Sequence, residues 1–143
     1  MPEGNVRRGV RVALAAVFLV DGVLHTLYPA PFVAITPDWV PAPLQVVWLT
    51  GALAFAGGIG LLIARVRRLA GMGLALYSVA VYPANVHHAL AHLTLGGHVA
   101  GWAYHGPRLL LQPVFVWACL WTAGVIEWPF SRVSDPIDPD RKL

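Results

Sequence analysis

The apolar positions of this chain gather into four blocks, at residues 9–28, 44–64, 69–92 and 107–126. Crossing about 30 Å of hydrocarbon takes roughly 20 mostly apolar residues in a helix, so each block predicts a transmembrane helix. Hydrocarbon cannot satisfy exposed backbone groups, and only helices or closed barrels span it. The blocks lack the two-residue alternation of a barrel strand. The expected fold is therefore all-α. It is a four-helix transmembrane bundle formed by residues 1–126, with a proline-rich outer loop between the first two helices and a polar cytoplasmic tail at 127–143.

Charge placement orients the bundle. Arg7, Arg8 and Arg11 stand at the start of the first block, and Arg65, Arg67 and Arg68 lie between the second and third. The connections at 28–44 and 92–107 hold no Lys or Arg, while Arg132, Arg141 and Lys142 follow the fourth block. Positive residues favour the cytoplasmic side, so both termini are expected there, in a multi-pass protein of a bacterial inner membrane. An Arg pair before an apolar run also describes a signal peptide. This run is long for one, contains Asp21 and lacks a clear cleavage site, so a retained helix is expected.

Within the blocks, small residues recur at four-residue spacing in Ala52/Ala56, Ala54/Gly58 and Ala56/Gly60. In lipid such residues mark close helix contacts, within the chain, with another membrane protein or with a second copy. Pro83 interrupts the third block and Pro113 the fourth, and Pro107 suits a first helical turn. The connection at 29–43 holds five prolines together with Phe32, Ile35 and Trp39. It is too apolar for a solvated linker, and Trp39 is expected at headgroup level.

Composition adds little beyond this. The chain of 143 residues is 57% hydrophobic and 12% charged. Its mean hydropathy is +0.64, with a pI near 9.5. The basic residues flank apolar spans, which suits anionic lipid headgroups and argues against nucleic acid. A single cysteine, Cys119, excludes a disulfide within the chain.

The chemistry lies in polar residues that a membrane helix holds at a cost. Asp21 and His25 are four apart on one helix face, Asn85, His88 and His92 share a face of the third helix, and Arg108 and Gln112 are four apart on the fourth. With the N-terminus inside, all three sets fall in the outer half of the bilayer. The expected ligand-binding set is Asp21, His25, Trp39, Asn85, His88, Arg108 and Gln112, gathered below the proline-rich loop. A quinone suits an apolar slot with a few hydrogen-bond partners. The i, i+4 pair His88/His92 has metal-ligand spacing and leaves a metal or a haem as an alternative cofactor, with His25, His98 or His105 needed to complete the set. The blander readings are that Asp21 and His25 only make each other's burial tolerable, and that Arg108 and one of His87 and His88 snorkel to the interface. No residue pattern assigns a catalytic role, which favours a non-catalytic protein and leaves enzymatic activity open.

Several stretches resemble DoxX-like membrane proteins. Gly22-Val23-Leu24-His25-Thr26, with Pro29, Phe32 and Ile35 through Pro41, resembles that family's first helix and outer loop. Thr50-Gly51, Gly57 through Leu62 and Arg67-Arg68-Leu69-Ala70 resemble its second helix and basic turn. Tyr82-Pro83-Ala84-Asn85-Val86 is similar to its Phe-Pro-Ala-Asn-Ile signature, and Arg108-Leu109 with Leu111-Gln112 to its Arg-Leu-Pro-Leu-Gln element. The resemblance covers roughly residues 10–121 and implies a compact four-helix bundle. It further implies an accessory subunit of a membrane redox or oxidative-stress system, or, as in distant relatives, an assembly or chaperone-type interaction protein. Ala54 stands where those relatives often carry Glu.

Overall fold

The computed structural model describes residues 4–91, 94–95, 98–99 and 101–127. Among them it is all-α, with five helices: α1 (Asn5–Leu27), α2 (Pro29–Ile35), α3 (Pro43–Leu62), α4 (Arg67–Leu90) and α5 (Trp102–Thr122). A two-residue antiparallel ladder, Thr94–Leu95 with His98–Val99, joins the last two. By length and apolarity, α1, α3 and α4 qualify as membrane spans. Helix α5 runs 21 residues, but His105, Arg108 and Gln112 lower its apolar content.

The long helices differ from their expected bounds by a few residues. Helix α1 begins four residues early, so Arg7 and Arg8 join Arg11 inside it. Helix α5 begins five residues early, which puts Pro107 within the helix instead of in its first turn. It ends at Thr122 because Gly124 takes the left-handed conformation (φ 74°). There the Val125 amide donates to Leu120 O and the Gly124 amide to Trp121 O, the paired bonds that stop a helix at a glycine. The proline-rich loop contains a helix of its own. Pro29 and Pro31 fit the first turn of α2, where no amide donor is required, and Pro37 disfavours helical geometry at Thr36, so α2 stops at Ile35. His92 and the tail at 128–143 lie outside the described residues.

The helices pack in the order α1, α3, α4, α5 and back to α1, and α2 rests on α1, α3 and α4. Helix α1 buries Arg11, Leu14, Ala15, Phe18, Gly22 and His25, a stripe at three- and four-residue steps. Its partner stripe on α3 is Val47, Gly51, Ala54, Gly58 and Leu61, whereas Ala52 and Ala56 face outward. The inward-facing small residues thus serve contacts within the chain. A Cβ on Gly58 would sit 3.0 Å from Ala15 O, and one on Gly57 or Gly60 would strike Leu74 or Ala70 of α4. Ala54 is completely buried in this seam, with no room for a carboxylate.

At the end remote from α2, α1 is fastened to α5. Arg7 Nε donates to Trp121 O (2.9 Å) and its guanidinium reaches Glu127 (3.3 Å), while Arg11 Nε donates to Thr122 O (3.1 Å). These carbonyls belong to the last turn of a helix, where no following turn supplies backbone donors and the carbonyls carry partial negative charge. Arg11 was expected at the headgroups but is only 4% exposed. Replacing it with Met is expected to cost about 1.5–3 kcal/mol, the range for a hydrogen bond from a charged donor, read as the unfolding free energy in mixed micelles. Arg8→Met, at an exposed position, is expected to change it by less than about 0.5 kcal/mol.

Candidate functional site

At the α2 end the helices part around a cavity of about 540 Å³. Phe18, Val47, Val81 and Phe115 form its apolar walls, and α2 with residues 36–40 covers it. Asp21, His25, Trp39, Asn85, Arg108 and Gln112 all line it. Of the seven residues singled out from the sequence, only His88 does not.

On the α1 wall, the His25 ring stacks on Phe32 with centroids 3.7 Å apart. Its Nδ1 lies 2.8 Å from Asp21 O and 3.4 Å from Asp21 Oδ1. Both neighbours are acceptors, so Nδ1 carries the proton and Nε2 of the neutral ring is left to accept. The second Asp21 oxygen accepts from Tyr77 Oη at 2.6 Å, a charge-assisted bond. The sequence reading missed Tyr77. Its signal was present, because the polar stripe of Asn85 and His88 continues back along α4 to Tyr77 and Ser78.

Two side-chain amides meet between α4 and α5, the helices that carry Pro83 and Pro113. Asn85 Nδ2 donates to Gln112 Oε1 (3.3 Å), and Gln112 Nε2 donates to Ser78 O (2.5 Å). Proline at position 83 supplies no bond to the carbonyl of Val79 and leaves the backbone accessible around it, and Gln112 takes the neighbouring carbonyl. Asn85 therefore keeps its side-chain oxygen available.

The α5 wall is set by Arg108. Its guanidinium donates to His88 Nδ1 (3.1 Å) and lies 5.7 Å from the Tyr104 ring centre. Arg108 thus has protein partners on one side and cavity on the other. A guanidinium only donates, so His88 Nδ1 accepts and the ring proton sits on Nε2. Metal ligation at Nε2 needs a lone pair there, with Nδ1–H turned to an acceptor, so this pairing argues against His88 as a ligand. His105, expected in a loop, is buried in α5 with its ring 4.7 Å from that of His88. His88 Nε2 and His105 Nδ1 have no hydrogen-bond partner among the described residues. No cluster of three metal-ligating side chains occurs among the described residues either.

His87 does not snorkel. Its Nδ1 donates to Ile35 O at 3.0 Å, which ties α4 to the last turn of α2 and holds the cover in place. Trp39 lines the cavity while remaining 73% exposed.

A family model described as "Domain of unknown function (DUF8561)" matches residues 14–123, from within α1 to just past α5. No curated protein and no solved structure matches the chain. The match overturns the DoxX-like resemblance, which leaves the redox, stress and assembly roles it implied without that support. The motifs behind that resemblance were prolines within helices, glycines at seams and the polar residues Asn85, Arg108 and Gln112, and residues of these kinds recur in unrelated helical membrane proteins. The matched region spans well over half of the sequence, and the chain belongs to the DUF8561 family.

Proposed function

We propose that the protein is a non-catalytic membrane protein that holds a small lipophilic molecule in the cavity between α1, α4 and α5. In this reading α5 is the fourth span, giving a four-helix bundle with both termini cytoplasmic and the cavity in the outer leaflet. At 1.5 Å per residue, its 21 residues match the hydrocarbon thickness. Arg108 and Gln112 turn to the cavity and His105 to the interior, while Leu110 and Val114 are left toward lipid. The alternation of arginine-bearing and arginine-free connections supports the orientation.

The observation that carries the proposal is the cavity itself. Ligand sites occupy about 300–1,000 Å³, with apolar walls and a few convergent polar groups, and this cavity fits on both counts. A quinone is one molecule of suitable size, although its link to a redox system rested on the overturned resemblance.

Solvent extraction and untargeted mass spectrometry of gently purified protein test the proposal. One small molecule is expected near a 1:1 ratio, and it should be lost from Val81→Trp, which fills the cavity from α4. An empty wild-type protein, or equal recovery from both proteins, counts against it.

A further inference from the structure

The cavity carries opposite charge on opposite walls. Asp21 faces it from α1 and Arg108 from α5, yet the two form no ion pair. Asp21 is engaged by Tyr77 and His25, and Arg108 by His88 and Tyr104. Among the described residues Arg108 touches no carboxylate. A charge held in hydrocarbon is costly, and two opposite charges kept apart set up a field across the space between them.

That field specifies a ligand. Acceptors gather on the α1 wall, in the Asp21 carboxylate and His25 Nε2, and the donor on the α5 wall is the Arg108 guanidinium. A quinone offers only acceptors and leaves the Asp21 wall unanswered. An anionic amphiphile answers Arg108 but meets repulsion from Asp21. A quaternary ammonium has no N–H to donate. A molecule bearing both a primary ammonium and an anionic oxygen answers both walls.

The route for its tail is also visible. Arg7, Arg11 and the Phe18/Phe115 edge contact (6.4 Å) hold α1 and α5 together over one half of their length, and the cavity parts them over the other. Apolar chains can leave sideways between Val17 and Leu111, both lining the cavity and both about half exposed.

We propose that the cavity takes the head of a zwitterionic amphiphile with a primary ammonium, as in a phosphoethanolamine lipid, its ammonium at Asp21 and its phosphate at Arg108. This rests on the cavity being a ligand site.

Native mass spectrometry tests it, using protein exchanged into mixed micelles with equimolar phosphatidylethanolamine, phosphatidylcholine, phosphatidylglycerol and a long-chain quinone. Wild-type protein is expected to retain the ethanolamine lipid about tenfold over the others, the factor for one charge-assisted bond. Asp21→Asn should erase its advantage over the choline lipid, and Arg108→Gln should weaken both alike. Free phosphoethanolamine that displaces the lipid assigns the site to the soluble head, and failure to displace assigns it to the whole lipid; the ammonium–phosphate chemistry stands in both cases. Equal retention of the choline lipid, or preference for the glycerol lipid, overturns the proposal in wild-type protein alone. Retention of the quinone only overturns it while leaving the cavity a ligand site, and retention of nothing removes both.

Discussion

Gly22→Ala is expected to destabilise the fold by about 2–3 kcal/mol, the upper part of the range for overpacking a tight contact. A Cβ at this position would lie 2.6 Å from Gly51 O, 2.7 Å from Phe55 Cβ and 2.8 Å from Phe55 N. Two of these three atoms are backbone, and the third is fixed to it, so no side-chain rotation relieves the clash and α1 must move away from α3. The control is Gly73→Ala, also in a long helix but with nothing within 4 Å. There alanine should stabilise by up to about 1 kcal/mol through helix propensity. Unfolding by increasing mole fraction of a denaturing detergent measures both. Equal behaviour of the two variants would mean that α1 and α3 are not in this register. The contact also couples the seam to the site, since a Cβ on Gly51 would strike His25 Cβ at 2.6 Å. Gly51→Ala should therefore weaken ligand retention as well as stability, although it lines no part of the cavity.

Those glycines show what the sequence disclosed and what it withheld. Small residues at helical spacing announced close packing in the second apolar block, and α3 does approach α1 closely. The spacing did not say which phase of the helix was used. Ala52/Ala56 repeats as regularly as the buried Gly51/Ala54/Gly58 stripe, and only the opposing surface of α1 selects between them. The three most apolar blocks were legible for a simple reason, because hydrocarbon demands runs of about 20 apolar residues. Helix α2 was hidden because prolines usually signal loops, and only their position at its start makes them compatible with a helix. Residues such as Asp21, Asn85 and Arg108 were found because a polar side chain in an apolar run is costly wherever it points. Tyr77 escaped for the opposite reason, since tyrosine is apolar enough to pass as core even where it continues the polar stripe of α4, and the fold adds the partner, Asp21 at 2.6 Å. The family resemblance misled because prolines, glycines and isolated polar residues within apolar helices report the solvent more than ancestry.

Arg108→Leu is expected to lower ligand retention by about 10- to 100-fold, the equivalent of roughly 1.5–3 kcal/mol for one hydrogen bond to a charged group. The same change should cost about 1–3 kcal/mol of stability, because it leaves His88 Nδ1 without its donor in a ring that is 1% exposed, and an orphaned buried acceptor carries its full desolvation penalty. A loss of ligand in this variant therefore has two explanations: the guanidinium holds the ligand, or the weakened fold does. The double variant His88→Leu/Arg108→Leu separates them. Replacing both partners of a buried hydrogen bond with apolar groups can be nearly neutral, and residues in direct contact are expected to be non-additive. The double variant should regain most of the lost stability, seen in the same detergent titration, while ligand retention stays at the level of Arg108→Leu. If retention recovers along with stability, Arg108 serves only to satisfy His88, and the donor wall of the cavity has to be sought elsewhere.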